Sequence, residues 1–118
     1  MTPDYFVDVL KQSCRDDAVE DCVAAFESPP GRRPREQLMK ISRWFNALTP
    51  GDREMVIAAM REASDATLFG VLCIIDGVRV IEFEEEKSEF KLTATRCGIE
   101  SQLSPNDTFL HDLLRAEP

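Results

Sequence analysis

Leu68-Phe69-Gly70-Val71-Leu72-Cys73-Ile74-Ile75-Asp76-Gly77-Val78-Arg79-Val80-Ile81-Glu82 is the stretch whose reading decides the fold. Val56, Met60, Ala63, Thr67, Gly70 and Ile74 carry one helical register into it. That register predicts a helix from Thr49 to Asp76, with Gly77 as its left-handed C-terminal residue. Asp76-Gly77 between β-branched residues is also a two-residue hairpin signal, under which Val71 to Ile75 would be a strand. The unbroken register favours the helix. Both readings demand a positive φ at Gly77. The segment is apolar nearly all round and so belongs at the centre of the domain.

Downstream of Val78 the period changes to two. Ile81 and Phe83 alternate with Glu82 and Glu84, Phe90, Leu92 and Ala94 alternate with Lys91, Thr93 and Thr95, and Ile99 and Leu103 continue the pattern. This predicts a three-stranded antiparallel meander with one buried face, turning at Glu85–Glu89 and at Cys97-Gly98. Upstream, Thr2-Pro3-Asp4 and Thr49-Pro50-Gly51-Asp52 read as helix starts, and downstream Ser104-Pro105-Asn106-Asp107 does the same. In each, a hydroxyl caps orphan amides, proline fits the first helical position, and an acid complements the helix dipole. Helices are therefore expected over about 3–13, 17–27, 35–48 and 49–76, the second capped by Asp17 with Glu20. Ser28 to Pro34 breaks the chain between the second and third. A closing helix is expected from Pro105 to about Arg115, with Phe109, Leu110, Leu113 and Leu114 facing inward. The expected fold class is α+β: four N-terminal helices, a three-stranded antiparallel meander and a short C-terminal helix, as a single domain over 1–118.

The formal net charge of −8 is unevenly spread. Residues 31–61 carry 7 basic and 3 acidic groups, whereas 1–30 carry 2 and 7, and 62–118 carry 5 and 12. The acidic total argues against nucleic acid as a partner, because neutralising phosphates needs a basic footprint. The longest strongly apolar run, Leu68 to Ile75, is far too short to span a bilayer, and the N-terminus lacks the pattern of a secretory signal. A cytoplasmic location without membrane attachment is expected. Cys14, Cys22, Cys73 and Cys97 have no C-x-x-C spacing, so buried free thiols in a reducing compartment are expected, with no zinc or redox site.

Little in the chain speaks for catalysis. The only histidine, His111, falls beside the inward stripe of the last helix, which places it outside or at the rim. Phosphate-cradling glycine loops and nucleophile-elbow motifs are absent from the sequence. No cofactor and no enzymatic activity are expected. The feature left over is the acidic run Glu82, Glu84, Glu85, Glu86 and Glu89, which folding alone gives no reason to gather. Asp16, Asp17, Glu20 and Asp21 form a second acidic group. An electropositive partner protein would account for both.

The stretch from Leu68 to Glu82 resembles a segment of small uncharacterised bacterial proteins, some of them immunity proteins encoded beside polymorphic toxins. Leu110-His111-Asp112-Leu113-Leu114 resembles the short helix that closes such chains. Together these cover about 20 of 118 residues. The resemblance carries no catalytic residue with it. It implies an acidic cytosolic inhibitor of a basic toxin. The expected function is thus a non-catalytic protein-binding module of the immunity type. A structural or adaptor homodimer is the alternative, and an unrecognised enzyme is the third reading.

Overall fold

The computed structural model describes residues 1–116. Helix α1 (Pro3–Leu10) starts at Thr2, whose Oγ1 accepts from the Tyr5 amide at 3.1 Å. The expected break near Ser13 does not occur. The chain runs through a π-helical segment (Lys11–Asp16) directly into α2 (Asp17–Glu27). Asp16 and Asp17 both have right-handed helical dihedrals, so Asp17 caps nothing; its carboxylate instead accepts from Gln12 Nε2 at 2.7 Å. Neither glycine nor proline interrupts this stretch. The widened turn aims Arg15 at Asp65, which it reaches at 3.0 Å.

Helix α3 (Glu36–Asn46) lays its buried Phe45 edge-to-face on Phe26, with ring centroids 5.7 Å apart. The Arg53 guanidinium covers the same ring at 5.1 Å, and Arg53 Nη2 donates to the Asn46 carbonyl. This small cluster ties α2 and α3 to the start of α4 (Pro50–Ile75), where Thr49 Oγ1 accepts from the Asp52 amide at 3.2 Å. Helix α4 is one unbroken run of 26 residues, so the hairpin reading of Asp76-Gly77 fails. Its end is a Schellman motif: the Val78 amide donates to the Cys73 carbonyl and the Gly77 amide to that of Ile74, both at 3.0 Å. Gly77 has φ 76°, as expected.

The sheet is smaller than expected. Strands β1 (Leu92–Arg96) and β2 (Ile99–Ser104) pair antiparallel about Cys97-Gly98, which turn with φ 52° and 78°. Positive φ at both central residues matches the twist of the flanking strands. Residues 78–91 form no third strand. The last helix, α5 (Leu110–Arg115), begins five residues after Pro105, because Ser104 ends β2 as a buried residue and its hydroxyl is already engaged elsewhere.

The main core is Val7, Leu68, Leu72, Leu110 and Leu114, where α1, α4 and α5 meet. A second tie crosses it: Asp65 on α4 binds both Arg15 and Arg115, and the Arg115 guanidinium lies 4.4 Å from the Phe69 ring centroid. The molecule is elongated, 48 × 36 × 32 Å. Its radius of gyration is 18.3 Å, against about 13–14 Å for a compact chain of this length. Its accessible surface is 8719 Å², roughly a third above the ~6,500 Å² of a compact monomer of this mass.

Candidate partner-binding surface

The loop that follows α4 starts from a fixed root. The Val78 and Arg79 amides both donate to the Cys73 carbonyl, and the Arg79 side chain folds back onto Gly70. The approach is so close that a Cβ at Gly70 would stand 2.6 Å from Arg79 Nη1. Farther out, the Glu82 carboxylate accepts from the Ser88 amide at 2.7 Å and from its hydroxyl at 3.2 Å. This closes a short ring over residues 82–88. The Ser88 amide, then its hydroxyl, and the charge of Lys87 hold Glu82 below the usual carboxylate range.

Ile81 and Phe83 were expected to bury one face of a strand. They do not: Ile81 is exposed, and Phe83, at the base of the loop tip, is 90% exposed. Val78, Val80 and Phe90 are also exposed. Glu84, Glu85, Glu86 and Glu89 are exposed around Phe83, and among the described residues none of them forms an ion pair. The loop therefore presents an aromatic ring amid unneutralised carboxylates.

The second acidic group is less uniform. Asp16 lies 2.9 Å from Arg15 Nε, and that guanidinium holds its carboxyl below the usual range while Arg15 is raised. Asp17 is engaged by Gln12. Glu20 and Asp21 are exposed beside Arg61 along an open groove between α2 and α4. Among the described residues no hydrogen bond or ion pair joins this group to the loop.

A different cluster is assembled by the fold and was not visible beforehand. Asp76, with its side chain 1% exposed, accepts from Ser104 Oγ at 3.1 Å and from the His111 amide at 2.9 Å. His111 Nδ1 lies 2.6 Å from the same carboxylate. Since a carboxylate only accepts, Nδ1 carries the proton in this contact. His111 is therefore largely buried and not at the rim; its ring stacks on Phe109 and stands edge-on to Phe69. Asp76 thus caps the start of α5 from the end of α4, and joins both to the end of β2. The arrangement contains the base-and-orienter half of a catalytic triad. Its Nε2, however, faces Asp112 at 3.3 Å, and the Ser104 hydroxyl donates to Asp76 instead of facing the imidazole. The cluster joins the end of α4, the end of β2 and the start of α5. Its one advance signal is the acid at the C-terminal end of α4, where the helix dipole disfavours negative charge.

All four cysteines are free, but only Cys73 is buried, so the expectation of burial fails for Cys14, Cys22 and Cys97. Among the described residues, no three His, Cys, Asp or Glu side chains gather as a metal-binding group, and no helix is long and apolar enough to cross a membrane. An open, mostly apolar groove of about 550 Å³ lies between α1 and α4, lined by Phe6, Leu10, Cys14, Thr67, Val71 and Ile75 among others. No family model, no curated protein and no solved structure matches the chain.

Proposed function

We propose that the chain is a non-catalytic protein-binding module that engages an electropositive protein through residues 78–91. The observation that carries this reading is Phe83, 90% exposed and surrounded by carboxylates that the fold leaves unpaired. An aromatic side chain in water forgoes the stabilisation of burial, and adjacent like charges repel. Both costs are recovered against a surface that offers an apolar socket with a basic rim, which is how interface anchors work. Inhibition of a basic toxin, in the manner of an immunity protein, is the sharper form of this reading. A cytoplasmic setting goes with it, and four free thiols accord with that setting.

The test starts with affinity capture from the source cell, followed by kinetics with the captured protein. Charge reversal at Glu84, Glu85 and Glu86 should slow association at least about tenfold at low salt. An unchanged rate with a folded variant overturns the reading.

A further inference from the structure

The chain carries the complement of its own loop. Lys40, Arg43 and Trp44 are exposed on one side of α3, with Arg32 and Arg33 exposed just before it. Trp44 is 54% exposed, and among the described residues the three arginines at 32, 33 and 43 have no ion-pair partner. Lys40 pairs with Glu36 at 3.7 Å, which leaves the three arginines as the free basic charge of this side, with Trp44 beside Arg43; the loop offers free acidic charge beside an exposed Phe83. Within one molecule the two lie at opposite ends of α4. Helix α3 is held at the start of α4 by Phe45, Arg53 and Asn46, and the loop leaves from the other end. The 26 residues of α4 separate those ends by about 39 Å.

We infer that the electropositive partner of the loop is α3 of a second copy of this chain. This rests on the reading of residues 78–91 given above. Two copies lying antiparallel satisfy both contacts at once, loop to α3 at each end, and the pair closes by two-fold symmetry. Pairing loop to loop is excluded by charge. Trp and Arg are also the side chains most enriched where interface energy concentrates.

Sedimentation velocity on the full chain, without any added partner, tests the inference. The wild type should sediment at twice 13.4 kDa, and should dissociate near 1 M salt, where the screening length falls to about 3 Å. The loop triple variant Glu84→Lys, Glu85→Lys, Glu86→Lys should be monomeric. So should the α3 triple variant Arg32→Glu, Arg33→Glu, Arg43→Glu. Mixed in equal amounts they should pair again, because both contacts then regain opposite charges. Phe83→Ser, a single exposed change, should weaken pairing at least about tenfold without touching the net charge. A wild-type dimer that survives both reversals overturns the inference, as does a mixture of folded variants that stays monomeric. A monomeric wild type also overturns it. If the loop variant still loses a captured basic protein in that case, the proposed function stands without self-pairing; if it does not, both fall.

Discussion

Two sets of carboxylates lie on either side of Gly77, and the fold treats them in opposite ways. On one side, Asp65 and Asp76 are sunk between helices, and each ties together elements that are far apart in sequence. On the other side, Glu84, Glu85, Glu86 and Glu89 bind nothing in the described chain, and the nearby Glu82 binds only its own loop. A buried carboxylate must have partners or the fold does not form. An exposed one is under no such demand, so five in eight residues call for an explanation outside folding. The contrast separates what holds this molecule together from what it offers.

Substitution should make the same separation measurable. Asp76→Ala leaves the Ser104 hydroxyl, the His111 amide and the imidazole without their acceptor; it should cost about 3 kcal/mol or more in urea melts. A loss near zero would show that water replaces the carboxylate and that the cluster is dispensable. Gly77→Ala forces a Cβ into a backbone with φ 76° and should cost roughly 1 kcal/mol or more in the same assay. Across the divide, charge reversal at Glu84, Glu85 and Glu86, compared with the wild type near 1 M salt where neither chain pairs, should move stability by no more than about 0.5 kcal/mol. A larger loss would mean that the loop belongs to the folded framework after all.

The smallest effect is local and depends on pH. Glu82 is depressed in the folded chain, so its contribution is fully present above the ordinary carboxylate pKa. It is lost as the pH falls through the depressed value. The protection factor of the Ser88 amide, its exchange corrected for the intrinsic slowing in acid, should therefore fall as the pH drops while the core helices keep theirs, and Glu82→Gln should remove that pH dependence. Equal protection at all pH values would show that the ring over residues 82–88 is held by something other than this carboxylate.

The sequence exposed the long-range order unevenly. Helix α4 was legible because its register runs through Val56, Met60, Ala63, Thr67, Gly70 and Ile74 without a break, and a helix is decided locally. The Cys97-Gly98 turn was legible for the same reason. The strand expected at Ile81–Glu84 was not formed, because alternation specifies a strand only where an apolar face exists to receive it. Here Phe83 finds none, and Glu82 turns back on Ser88. Residues 14–16 were expected to separate two helices, yet a π turn over Lys11–Asp16 carries the helix through them and Arg15 gains a carboxylate 50 residues away. Asp76, Ser104 and His111 lie 28 and 35 residues apart, so only the packed chain brings them together. Of the nine acidic residues expected to bind a partner, Asp16 and Asp17 turn out to be engaged within their own helix.

Gly70 is the seat on which the Arg79 side chain rests, and so it shares with the Cys73 carbonyl in setting how the loop leaves α4. Alanine there suits a helix better by about 1 kcal/mol, yet its methyl group would stand where the guanidinium now lies. Arg79 is long and its tip moves easily, so Gly70→Ala should strengthen α4 while costing the loop one of its two holds. A variant firmer in its scaffold and poorer in its aim would show that this glycine is retained for the pointing of Phe83, at the expense of the helix that carries it.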